Sequence, residues 1–173
     1  TVYQRNTFDH DLYAQPLTIP QIQARVRSYY RPYRQELTTL LNQKKALFGH
    51  AYLIDLHSFA QYPYYPNVKP KMVVLGNDHD RTSSKRFRLA LADQFMTYGW
   101  TVEDNFPFRG GDITRYYGHQ QGVTAIQIEL RYDQYIAHRS FGEEVLTTYQ
   151  SEVFKQAQQK LQFLTAFLGG LRE

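Results

Sequence analysis

Apolar residues recur at three- and four-residue spacing through Ile22, Val26, Tyr29, Tyr33, Leu37, Leu40 and Leu41. That period predicts a helix with one apolar stripe, beginning near Thr18. Pro20 falls in its first turn, where a missing N–H is tolerated. Pro32 lies inside the pattern and is expected to kink or divide the helix, and Gly49 to end it. The period then changes. "AYLIDL", residues 51–56, is a short apolar run between Gly49 and a Tyr/Pro-rich loop, and "KMVVLG", 71–76, repeats the form. Both predict buried strands. Between them "SFAQYPYYPNVKP" is a long loop stiffened by three prolines, and long loops often carry function. "TSSKRFRLALADQFMTYG" predicts a helix capped by Thr82 or Ser83, with Phe87, Leu91, Phe95 and Tyr98 along one face. "WTVEDN" predicts a short strand and "FPFRGGDITRYYGHQQG" an irregular, glycine-rich stretch. "VTAIQIEL", 123–130, alternates and is rich in β-branched residues, so it is expected to be a strand. A final helix is expected from about Ser140 to Leu168, burying Val145, Tyr149, Val153, Leu161, Leu164 and Leu168.

This order of helices and strands predicts a single α/β domain over residues 1–173, with a mixed or mostly parallel sheet flanked by helices. The first sixteen residues show no period and read as an extended entry. The 173 residues are enough for a sizeable core. No run of eighteen apolar residues is present, and the N-terminus lacks the layout of a signal peptide. A soluble, cytoplasmic protein without membrane partners is therefore expected. The absence of cysteine removes disulfides and thiolate metal sites, so any metal must be held by His, Asp or Glu. A formal charge of +4 without a dense basic stretch argues against nucleic acid as a partner. The 15 tyrosines are read as core-edge residues with hydroxyls toward water rather than as stacking platforms for bases.

Ligands of open α/β sheets gather beyond the carboxyl ends of strands. The first strand runs into Asp55 and His57, which alternation places on one face. His57 is either a metal ligand oriented by Asp55 or a hydrogen-bonded histidine at a strand end. Glu129 lies in the apolar "IQIEL". Burial would raise its pKa and suit a general base, unless it is paired with Arg131 or another arginine. In "RGG", Arg109 could clamp a carboxylate while Gly110 and Gly111 let backbone approach a ligand; the alternative is a plain turn. "NDHDRTSS" offers Asp78, His79 and Asp80 as a metal cluster, or simply a helix cap, and His119 is a further loop histidine.

Taken together, "GHAYLIDLHSF", "VVLGNDHDRTSS" and "GWTVEDNFPFRGGDITRYYGHQQGVTAIQIELRYDQYI" resemble the N-formylglutamate amidohydrolase family in order and spacing, from about residue 3 to 136. "YYRPYRQEL" is similar to that family's R-x-x-Y-x-P-Y helix. The resemblance implies a three-layer, zinc-carboxypeptidase-like (phosphorylase/hydrolase-like) fold and a zinc-dependent hydrolase. Its substrate would be a small N-acyl amino acid such as N-formylglutamate, a compound of histidine catabolism. It implies His57 as a zinc ligand with Asp55 behind it, Glu129 as the catalytic carboxylate, and Arg109, Gly110, Gly111 and Arg5 as substrate-binding residues. The remaining zinc ligands are expected outside this segment, because the family supplies them from an N-terminal proline-histidine motif. Asp9, His10 and Asp11 have no counterpart there, and Arg131 stands where the family often has Asn. The alternative is a degenerate member that binds without catalysis.

Overall fold

The structure, a computed structural model, describes residues 2–6, 9–60, 62, 65, 67–136 and 151–170. The chain divides into two compact units, Thr1–Ala51 and Tyr52–Glu173.

In the first unit the predicted helix forms in three pieces. Helix α1 spans Ile19–Arg25, a π-helical turn spans Val26–Tyr30, and α2 spans Arg31–Phe48. Thr18 and Gln21 make a capping box at the start, with Pro20 in the first turn. Gly49, at φ 77°, ends α2. Pro32 divides the helix as expected, and the manner follows from its chemistry. Its ring cannot donate to the preceding turn. Just before it the chain winds one residue wider, and Arg31 N–H reaches back to the Val26 carbonyl. One extra residue rotates everything beyond by about 100°. Stripe positions on the two sides of the turn therefore do not share one face: Leu41 of α2 is buried, whereas Tyr29 of the π-helical turn is 67% exposed.

In the second unit four strands form one mixed sheet in the order β1-β4-β2-β3. These are β1 (Ala51–Phe59, its first residue counted with the first unit), β2 (Val73–Gly76), β3 (Val102–Asp104) and β4 (Val123–Arg131). Strand β2 runs parallel to β3 and antiparallel to β4, with Val74 opposite Glu129 and Gly76 opposite Gln127. Strand β1 is longer than the apolar run predicted, so His57 lies within the strand rather than beyond it. Helices α3 (Lys85–Thr97) and α5 (Ser151–Gly169) cover one face. Val73, Leu75, Ile126 and Ile128 meet Leu91, Phe95 and Phe163 there. The predicted face of α3 is correct except at Tyr98, which stacks on Phe163 at the rim. Part of the last predicted helix, including Val145 and Tyr149, lies outside the described residues. No described helix is long and apolar enough to cross a membrane.

Two expectations are corrected. The cap of α3 is Ser84, whose hydroxyl accepts from Phe87 N–H. Thr82 and Ser83 are committed elsewhere: the Thr82 hydroxyl donates to the Ala125 carbonyl, and Ser83 Oγ accepts from the Asn77 amide. The glycine-rich stretch also contains a helix, α4 (Asp112–Gly118), with Gly111 at its N-cap. It lies on the second face of the sheet, close enough that a Cβ on Gly118 would sit 3.0 Å from that of Ala125.

Arg88 of α3 ties the loop after β2 to the end of β3. It donates to both oxygens of Asp80, at 2.7 and 3.2 Å, and to Asp104. The Arg88 hydrogen bonds are the main reason the Asp80 carboxyl titrates below its ordinary range. A depressed carboxylate pKa gives stability that is present above the unfolded value of about 3.9 and is lost as pH falls through the folded value. Asp80→Asn is therefore expected to cost about 1 kcal/mol at neutral pH. Urea denaturation from about pH 7 down to 3 should show that cost shrinking; a pH-independent cost would rule out the ionic account.

Candidate active site

The second face of the sheet carries the polar groups. Asp55, His57 and Phe59 of β1 alternate onto it with Gln127 and Glu129 of β4. Asp55 Oδ1 lies 2.9 Å from His57 Nε2, and its Oδ2 accepts a hydrogen bond from the Thr114 hydroxyl at 3.0 Å. An ionised Asp55 can only accept, so this contact orients the ring with Nε2 toward Asp55 and Nδ1 toward β4. That nitrogen lies 4.0 Å from Glu129 Oε1. The His57 side chain is 46% exposed and that of Glu129 only 7%, so the imidazole stands between solvent and a buried carboxylate.

Burial pushes the Glu129 carboxyl above its ordinary pKa; the nearby imidazole and the Gln127 amide pull it part of the way back. The pairing with Arg131 does not occur. Arg131 donates to Asp133 at 2.7 Å and to the Pro70 carbonyl instead. Gln127, itself buried, donates to Glu129 Oε1 and accepts from Gly111 N–H. A buried carboxylate with a raised pKa and no arginine partner among the described residues is suited to taking up and returning a proton.

The "FRGG" turn reaches this face through a close fit. A Cβ on Gly76 would lie 2.5 Å from both Gly110 N and the Phe108 carbonyl oxygen, so the bare glycine lets the turn lie on β2. Gly110, at φ 106°, makes a bend that side chains disfavour. The Arg109 carbonyl accepts from Asp78 N–H at 2.7 Å. Its side chain is exposed and makes no ion pair with a described residue. Asn105 Oδ1 accepts from the N–H groups of Asn77 and His79, holding the loops after β2 and β3 together.

The acidic loop after β2 does not form a cluster. Asp78, His79 and Asp80 all adopt positive φ, and their side chains diverge. Asp80 turns to Arg88, Asp78 lies 3.4 Å from Arg81 and 3.9 Å from His119, and His79 is exposed. In the first unit Arg5 pairs with Asp9 and Asp11, each at 3.0 Å. Among the described residues no three His, Asp or Glu side chains are grouped to hold a metal ion. A catalytic zinc takes three protein ligands. His57 Nδ1 fits one such position, but the described donors do not complete the set. The two residues that the sequence reading missed are Gln127 and Thr114. Gln127 was signalled by its place two residues before Glu129 on the same strand face; Thr114 had no signal without α4.

Residues 1–136 match the model of the N-formylglutamate amidohydrolase family. The structure is similar to that of N-formylglutamate amidohydrolase from Ralstonia eutropha JMP134, with a TM-score of 0.77 and 26% identity over 91% of this chain and 56% of that one. It also resembles a gene product of Agrobacterium tumefaciens, with a TM-score of 0.64 and 18% identity over 96% of this chain and 60% of that one. The chain thus spans less than two thirds of either structure. No curated protein matches it.

Proposed function

From the premise that this chain belongs to the N-formylglutamate amidohydrolase family, we propose that it hydrolyses the amide of a small N-formyl or N-acyl amino acid, with N-formylglutamate as the leading substrate. The observation that carries the reading is Glu129: buried, paired with no arginine among the described residues, and 4.0 Å from Nδ1 of His57. In this reading Glu129 takes a proton from water as the water oxygen bonds to the acyl carbon. It then returns the proton to the amide nitrogen as the carbon–nitrogen bond breaks, releasing formate and a free amine. Arg109 binds the substrate carboxylate, and the Gly110–Gly111 backbone lets it approach. Arg5 is retained as a substrate-binding residue on the resemblance alone, since its guanidinium is engaged by two aspartates.

We also propose zinc as the cofactor, with His57 Nδ1 as one ligand and Asp55 fixing its tautomer. When bound, zinc would supply Lewis acidity toward the acyl oxygen and the attacking water. Two tests apply to the complete natural protein. Formate release from N-formylglutamate is expected, and zinc content near one per chain should fall at least tenfold in His57→Ala. Zinc retained in that variant would remove His57 from the ligand set. A zinc-loaded protein that binds N-formyl amino acids yet releases no formate would establish the non-catalytic alternative.

A further inference from the structure

The geometry points to Gln127 as a positioning residue that locks the Arg109 turn to the Glu129 carboxylate. The inference rests on the function proposed above and deepens it. The Gln127 side chain is buried between two groups of opposite polarity: Gly111 N–H on one side and Glu129 Oε1 on the other. A backbone N–H can only donate and an ionised carboxylate can only accept. The neutral amide presents an acceptor to the first and a donor to the second at any pH, which an ionised glutamate of the same length cannot do. Its orientation is therefore dictated by its neighbours. Methionine would leave both partners unpaired, glutamate would keep the acceptor but lose the donor, and asparagine is one methylene too short.

Two consequences follow. Glu129 Oε1 is committed to Gln127, which fixes the carboxylate plane and leaves Oε2 for the proton in flight. Gly111 is two residues from Arg109 and opens α4. The same helix supplies Thr114, which anchors Asp55 and through it His57. The turn that receives the substrate carboxylate and the group that moves the proton are thus parts of one hydrogen-bonded frame. The span from Arg109 to Glu129 does not have to be set anew each time a substrate binds, which is the advantage of preorganisation.

The test compares Gln127→Met with Gln127→Glu in the complete natural protein. Gly111 is followed by the amide proton shift and hydrogen exchange of ¹⁵N-glycine-labelled protein, and turnover by formate release from N-formylglutamate. In Gln127→Met the Gly111 amide should move upfield and exchange at least tenfold faster. Its kcat should fall about ten- to a hundredfold and its KM rise. In Gln127→Glu, which keeps the acceptor, Gly111 and KM should stay near wild type while kcat still falls. An unchanged Gly111 amide in Gln127→Met, or kcat within about twofold of wild type in both variants, would overturn the assignment. So would equal changes in KM and kcat for the two variants, which general loosening would produce. If the wild-type protein releases no formate, the proposed reaction fails, and the Gly111 amide alone still decides whether the lock exists.

Discussion

Glu129→Gln is expected to abolish most turnover, lowering kcat by about a thousandfold, while leaving zinc affinity within a few-fold of wild type. The amide keeps the size of the side chain and can still accept from Gln127, so the site should hold its shape. It cannot take a proton from water at neutral pH. The same change should stabilise the metal-free protein. Burial raises the folded-state pKa of Glu129, so the folded chain holds this proton more tightly than the unfolded chain. The resulting stability is fully present below the unfolded value of about 4.3 and is lost as pH rises through the folded value. Replacing the acid removes that loss. Thermal melts should show Glu129→Gln above wild type at about pH 8 and the difference closing toward pH 4. A variant that loses zinc and turnover together would assign Glu129 to metal binding instead.

Gly76→Ala is expected to cost at least about 3 kcal/mol and to displace the Arg109 turn. The obstacle is space, since the Gly76 φ lies in the ordinary range. The new methyl would meet backbone at Gly110 N and Phe108 O, each at 2.5 Å, and Arg109 C at 2.8 Å. Backbone held by its own hydrogen bonds cannot swing aside as a side chain can. Gly76 also faces Gln127 across the β2–β4 ladder, so a shift there reaches the residue that holds Glu129. Urea denaturation should show the loss, and any folded fraction should have a raised KM for N-formyl amino acids. Gly99→Ala is the comparison: it has a positive φ of 84° but nothing within 4 Å, so its cost should be about 1 kcal/mol, with KM unchanged. Equal stability of Gly76→Ala and wild type would mean that the turn can lie elsewhere.

Much of the fold follows from local periods. Alternation placed Asp55 and His57 on one face and marked Glu129 as an acid inside an apolar strand. Both hold because side-chain direction along a strand is set by the backbone alone. The helix breaks at Pro32 and Gly49 hold because proline's missing N–H and glycine's access to positive φ are local properties of those residues. Local reading failed where a residue had two uses. Thr82 and Ser83 are good caps by composition, yet β4 and Asn77 claim their hydroxyls first. Helix α4 was hidden by its short length and by the glycines at both of its ends. The single stripe from Ile22 to Leu41 was misread because the π-helical turn changes the phase of the helix without changing its composition.

By itself, then, the sequence determined which residues are acids, bases and glycines, which faces the strand residues point to, and which family the chain resembles. The tertiary structure decided that β4 lies beside β1, which brings His57 within 4.0 Å of Glu129. It decided that Arg131 turns to Asp133, leaving Glu129 to Gln127, and that the acidic loop scatters its side chains rather than converging them. The physical reason is the range of the interactions. Periodicity is written into every few bonds of the backbone, whereas a strand's neighbour and a buried group's partner depend on segments far apart in the chain. A buried acid must find whichever polar group the fold brings to it.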